Sequence, residues 1–138
     1  MEQKIIIVTR GASGCGKTTF ANILTREIGW VSVSADSYFE DGEGNYNFIA
    51  EDIGKAHAHC RARFMEALKE HTVKGIVVAN TNTKPSDFDF YVKEGEKVGA
   101  KIIVTVLENR HGGNNIHNVP EHVLERQENQ IRSTLKLR

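Results

Sequence analysis

This chain has few of the residues that lock small proteins into shape: two cysteines, two prolines and one tryptophan in 138 residues. Cysteine this sparse excludes a disulfide-stapled secreted scaffold. Cys15 lies in a glycine-rich run and Cys60 in a helical stretch, so both read as reduced thiols with no disulfide partner. An excess of one charge is also missing, since 18 Lys and Arg face 18 Asp and Glu. There is no global field for a polyanion, which excludes a protein that coats long nucleic acid; any such partner must be gripped by a local patch. No apolar run approaches the roughly 20 residues of a membrane-spanning helix. Met1-Glu2-Gln3-Lys4 leads into a short apolar run ending at Thr9, which is not a signal-peptide pattern. The expectation is a cytoplasmic protein without a membrane partner, built as a single domain over 1–138.

What is present is an alternation of apolar runs and amphipathic stretches. Residues 4–9 are β-branched and bounded by glycine, the pattern of a buried strand. Phe20, Ile23, Leu24 and Ile28 are spaced for one face of a helix over 17–28, stopped by Gly29. A second strand is read over 30–34, a long helix from Ala50 to about His71, and a third strand over 75–79. Pro85 suits the first turn of a helix to about Val98. A fourth strand covers 101–107, and a last helix opens at Val119-Pro120-Glu121 and runs to about Arg132. Strands alternating with helices predict an α/β fold: a parallel sheet of about four strands with helices on both faces. Ligands on such sheets sit at the carboxyl ends of the strands. Gly11 to Thr18, Asp36, the Asn80-to-Thr83 turn and the loop beyond Leu107 all fall there.

Gly11-Ala12-Ser13-Gly14-Cys15-Gly16-Lys17-Thr18 fits the phosphate-loop spacing G-x-x-x-x-G-K-[ST] between a strand and a helix. Glycines let successive N–H groups converge on a β-phosphate, and the following helix adds its positive end. Lys17 is placed to reach the β- and γ-phosphates, and the Thr18 hydroxyl to complete a magnesium shell; Thr19 closes the nucleotide-binding run. The cofactors implied are ATP and Mg2+. A thiol among converging N–H groups has its thiolate favoured, so Cys15 is expected to be alkylatable.

P-loop hydrolases place a metal-binding aspartate at the end of another strand, but the third strand here ends in Ala79-Asn80. The carboxylate just beyond a core strand is Asp36. Near a γ-phosphate it suits a kinase, as the base that takes the proton of an attacking hydroxyl. The plainer alternative is a turn former or helix cap.

The loop, Asp36-Ser37-Tyr38, Asn80-Thr81-Asn82 and Ile116-His117-Asn118-Val119-Pro120 occur in the order seen in P-loop kinases. On these motifs the chain resembles the 5′-hydroxyl polynucleotide kinase-like family, with zeta-toxin-like kinases as more distant kin. The resemblance implies that Lys17 and Thr18 act on ATP and magnesium and that Asp36 is the general base. It also implies that Asn80, Thr81 and Asn82 line the acceptor side and that the segment before Val119 is a lid. The chain departs from the family at Phe39, where an arginine would hold an acceptor phosphate, and at Asn80, where an aspartate stands. The family's lid arginine falls at Asn114, so that charge has to come from Arg110 or Arg126.

Tyr38, Phe39, Tyr46 and Phe48 surround a glycine-rich excursion. They read either as a stacking wall for an acceptor base, led by Tyr38 and Phe39, or as a tuck of the loop onto the core. His57 with Arg61 and His59 with Arg63 share helix faces, most simply solvated ones. His111, His117 and His122 lack the spacing of a zinc site. The expected activity is transfer of the γ-phosphoryl group of ATP to a hydroxyl, foremost the 5′ end of a nucleic acid. A small-metabolite or nucleoside kinase, and a nucleotide-binding scaffold with little turnover, are the alternatives.

Overall fold

Four β-branched runs form one parallel sheet in the computed structural model, which describes residues 3–110 and 119–136. Strands β1 (Ile5–Arg10), β2 (Val31–Val33), β3 (Gly75–Val78) and β4 (Lys101–Val106) lie in the order β2-β3-β1-β4. The register sets Ile5 beside both Gly75 and Lys101, and Val31 beside Ile76. From β1 the chain steps outward to β2, then returns through β3 and crosses to β4. Right-handed crossovers therefore put α1 (Lys17–Ile23) on one face, and α2 (Ile53–Lys69) and α3 (Pro85–Lys97) on the other. This is the architecture expected from the alternating pattern.

The core lies under α2 and α3, where Ile6, Val8, Val33, Ile76 and Val78 meet Cys60, Phe64, Leu68, Phe88 and Tyr91. Ile7 and Val77 point to the opposite face and are buried as well. One detail differs from the sequence reading. The first helix is α-helical only to Ile23 and widens into a π-type turn over Leu24–Ile28, ending where Gly29 takes φ +79°. Strand β4 has its valines about two-fifths exposed, Val104 at 44% and Val106 at 40%. It lies at the sheet edge, paired only with β1. β3, flanked on both sides, is buried throughout.

The last helix, α4 (Glu121–Ser133), returns to the carboxyl ends of the strands and buries Ile131. The lid expected before Val119, with Asn114, lies outside the described residues. Among the described residues no helix is long and apolar enough to cross a membrane.

Candidate active site

β1 ends at Arg10 and the chain turns at once into the loop. Gly14 and Gly16 take φ of +85° and +102°, the left-handed region that a side chain disfavours. Gly11 has no room for a Cβ, because the Cys15 sulfur and the Leu107 carbonyl close on it. The loop is thus shaped by backbone demands that only glycine meets, and it delivers Lys17 and Thr18 to the first turn of α1. Thr18 and Thr19 are exposed.

Lys17 folds over the loop, its Nζ donating to the carbonyls of Gly11 at 3.1 Å and Ala12 at 3.0 Å. Burial pushes the ammonium below the ordinary lysine value, while Cys15 and the Asp36 carboxylate pull it back up. A cation partly stripped of water and held by neutral carbonyls gains from a phosphate anion more than a solvated one does. The Cys15 thiol is largely covered. It is 5% exposed, packed against Gly11 with Lys17 Nζ 3.8 Å away, and lies in the wall of the cleft beside the loop. Both cysteines are buried, and neither is in a disulfide.

Asp36 opens a 3-10 turn, Asp36–Phe39, just past β2. Its carboxylate is half-buried, lies in the field of Lys17 and accepts from the Tyr46 hydroxyl at 3.2 Å. Tyr38, 37% exposed, stands beside the His59 ring at 5.7 Å. Phe39 is 6% exposed, packed edge-on to Tyr38, Tyr46 and Phe48. It joins Ala35 and Ala56 in a small second core. Phe39 therefore anchors the excursion and offers no open face to a base; Tyr38 keeps one.

The Asn80-Thr81-Asn82 turn lies where expected, but its polar atoms face inward. Asn80 Oδ1 accepts from the Ala35 N–H at 2.8 Å, and its Nδ2 donates to Cys60 Sγ at 3.6 Å. The Thr81 carbonyl accepts from the Gly11 N–H at 3.0 Å. Asn82, with φ +45°, is buried and donates to the Thr9 carbonyl at 2.8 Å. This turn braces the start of the phosphate loop and the residue before Asp36, so it shapes the site from behind. Asparagine at position 80 has a local reason, because a carboxylate there has no hydrogen to give Cys60.

The two arginines proposed for the lid charge separate. Arg110 pairs with Glu108 and lines a cleft of about 470 Å³ with Gly11, Ala12, Val106, Leu107, Ile131 and Arg132. Arg126 lies on the outer face of α4 with His122, Glu125 and Asn129, in a different groove. Sequence reading missed the place of Arg132 in the cleft with Arg110, and it missed Gln127, whose Oε1 accepts from the Ser13 N–H of the loop at 3.1 Å. It also missed Arg10. That buried guanidinium donates to the carbonyls of Asn82 at 2.8 Å and Thr83 at 2.9 Å and to Thr134 Oγ1 at 2.7 Å, with Phe88 beneath it. Gln127, Ile131 and Thr134 fall at spacings of four and three, the signal that marks one face of α4.

A glycine-shaped loop between β1 and α1, on a four-stranded parallel sheet, defines a kinase-like P-loop nucleotide-binding domain. A family model described as an AAA domain matches residues 6–133, and the chain belongs to that family. NEDD4-binding protein 2 of Homo sapiens is 30% identical over 100 residues, 72% of this chain, and the match spans 6% of that relative's length. Among solved structures, a gluconokinase from Sinorhizobium meliloti 1021 superposes with a TM-score of 0.56 at 18% identity, covering 95% of this chain and 77% of that one. The APS kinase of Mycobacterium tuberculosis does so with a TM-score of 0.54 at 10% identity, covering 96% and 99%. At these identities the likeness to both structures is one of fold.

Proposed function

We propose that this chain is an ATP-dependent kinase transferring the γ-phosphoryl group to a hydroxyl, with the 5′ end of a nucleic acid as acceptor. The observation that carries it is the Asp36 carboxylate standing at the end of β2 in the field of Lys17. A base beside the cation that faces the phosphates is the arrangement phosphoryl transfer to an alcohol needs. The acceptor oxygen forms its bond to the γ-phosphorus as the bond to the β,γ-bridging oxygen breaks. The hydroxyl proton passes to Asp36, and ADP leaves with the bridging oxygen.

Lys17 and the N–H groups of the glycine loop bind the phosphates and offset the charge that spreads over them. The cleft between the end of β4 and α4 lies on the other side of Gly11, and its Ala12, Val106, Leu107 and Ile131 suit the apolar faces of a nucleobase. The exposed Thr18 hydroxyl would be the side chain that holds a magnesium ion brought in with the nucleotide. No group of three or more His, Cys, Asp or Glu side chains among the described residues forms a cage of its own. Such an ion would supply charge neutralisation to the phosphates. On the acceptor side, exposed Tyr38 beside His59 supports a stacked base. The motif order shared with 5′-hydroxyl polynucleotide kinases supports it too.

A second reading, a small-metabolite kinase, is favoured by the names of the two superposed structures, a gluconokinase and an APS kinase. The deciding experiment incubates the chain with γ-labelled ATP, magnesium and a panel of 5′-hydroxyl DNA, RNA, nucleosides and sugars. Label on oligonucleotide 5′ ends is the expected result. Label on a sugar or nucleoside alone establishes the second reading, and no transfer to any hydroxyl overturns both.

A further inference from the structure

The excursion between Phe39 and Phe48 is closed by its own hydrogen bonds. The Asp41 carboxylate accepts from the N–H groups of Glu43 at 2.8 Å and Asn45 at 2.9 Å, and from Asn45 Nδ2 at 2.9 Å. These bonds, the Asn45 side chain first, hold the Asp41 carboxyl below its usual range. Gly44 turns with φ +84°, Glu40 and Tyr46 pair as an antiparallel bridge, and the Asn47 N–H donates to the Phe39 carbonyl at 2.9 Å. The Phe39 ring, buried against Ala35 and Ala56, pins the base of the turn. A charged, polar stretch is thus folded into a device that returns one side chain, Tyr46, to the residue where the turn began.

We infer that Tyr46 is the positioning residue for Asp36: its hydroxyl donates to Oδ1 at 3.2 Å and fixes the plane in which the carboxylate meets the acceptor. The inference rests on the reading of Asp36 as the base. The phenol stays protonated while it does this. Burial, the Asp36 charge and the hydrogen bond push it up to about 12, with Glu40 adding to the effect. It is therefore a donor throughout the working range and does not compete for the acceptor's proton. The Lys17 charge acts on the same carboxylate from the phosphate loop. Asp36 thus takes a neutral hydrogen-bond donor from the excursion and lies in the field of a cation from another element. A general base aligned by a hydrogen bond gains rate through orientation rather than affinity.

The test is a double-mutant cycle on the full chain, with ATP and a 5′-hydroxyl oligonucleotide as substrates. Tyr46→Phe keeps the ring and its packing and removes only the donor. The expected result is a fall in kcat of about tenfold, the scale of one hydrogen bond to a charged group, with both KM values unchanged. In the Asp36→Asn background, where the base is gone, Tyr46→Phe should have no further effect. Equal proportional losses in both backgrounds, or a loss confined to KM, would show a structural role and overturn the inference while leaving Asp36 as the base. Asp36→Asn as fast as wild type would instead overturn the base reading, and Tyr46's role with it. If only a sugar or nucleoside from the panel is phosphorylated, the same cycle is run on that acceptor with the same two outcomes. Tyr46→Phe and wild type turning over that acceptor equally fast would end the inference.

Discussion

The two rims of the phosphate loop are built by different means. On one side, Gly11, Ala12 and the end of β4 meet α4 across an open cleft with apolar walls, edged by Arg110 and Arg132 and by the carboxylates Glu108 and Glu128. On the other, Asp36, Tyr38 and Tyr46 are held by a small aromatic core and an excursion closed on itself. The cleft is general: it suits any flat ring attached to a triphosphate. The second rim is particular, because its polar groups are aimed by bonds inside one short stretch of chain, with Tyr46 reaching back ten residues to Asp36. On the proposed function, binding and specificity are divided between tertiary packing and local structure. Each half can be damaged without the other.

The largest expected effects fall where the rims meet. Lys17→Ala removes the cation that faces the phosphates and should lower kcat by about a hundred- to a thousandfold while weakening ATP binding, by analogy with the loss of one charge-stabilising donor. Asp36→Asn keeps the shape and removes the basicity. It should cost about a hundredfold or more in kcat with ATP affinity unchanged. Nucleotide affinity by fluorescence, measured beside turnover, separates the two. A Lys17→Ala chain with full activity would break the division of labour at its root.

Neighbouring aromatics on the acceptor rim should separate next. Tyr38→Ala removes an exposed ring and is expected to raise the acceptor KM by about five- to a hundredfold, the range for one lost stacked base. Phe39→Ala empties a buried position, and the expected loss is about 3 kcal/mol of folding stability, at the low end for a core phenylalanine because its cluster is small. Urea denaturation and acceptor titration, run on both variants, read the contrast. If Phe39→Ala raises KM in a chain of undiminished stability, its ring serves the acceptor after all.

How far the sequence foretold this site depends on what shapes each part. The glycine loop was legible residue by residue, since a phosphate cradle needs left-handed backbone at fixed positions and only glycine supplies it cheaply. The parallel sheet with helices on both faces follows from the alternation of elements, whereas the order β2-β3-β1-β4 had to come from the structure. Asp36 could be placed past a strand end. What could not be read was inside and outside among close neighbours: Tyr38 and Phe39 are adjacent and both aromatic, and only the packing of α2 decides which is covered. The family resemblance put Asn80 and Asn82 on the acceptor side, although their amides are spent on Ala35, Cys60 and Thr9. Arg10 was passed over because an arginine ending a strand is ordinarily solvated. Here Asn82, Thr83 and Thr134 supply its acceptors.

A smaller effect is expected on the cleft. Arg110→Ala and Arg132→Ala should each raise the ATP dissociation constant by about two- to fivefold, the scale of an exposed ion pair, with the acceptor KM unmoved. Arg126→Ala discriminates: a fall in kcat from that variant would return the lid charge to the outer face of α4. Loss of acceptor binding from Arg132→Ala would sink the assignment of the cleft to the nucleotide.

The smallest effect, on stability at high pH, checks the contact on which the acceptor rim turns. In the unfolded chain the Tyr46 phenol ionises near its ordinary 10.0, whereas in the folded protein burial and Asp36 raise it to about 12. The folded state holds the proton more tightly, so its advantage is complete below pH 10 and is lost as pH rises toward 12. Tyr91, pushed up by burial and by its bond to Cys60, works in the same direction. Lys17, pushed down, works in the opposite one, at lower pH. Wild type should therefore lose stability between pH 10 and 12, and Tyr46→Phe should lose less over the same interval because one of the two raised phenols is gone. Urea denaturation at pH 9 and pH 11.5 gives the difference, and Asp36→Asn should move part of the way toward Tyr46→Phe, since it removes the charge but not the burial. A Tyr46→Phe chain that loses as much as wild type would mean that the phenol titrates normally. The carboxylate would then not be held by the excursion, and the acceptor rim would owe its geometry to Lys17 and the strand end alone.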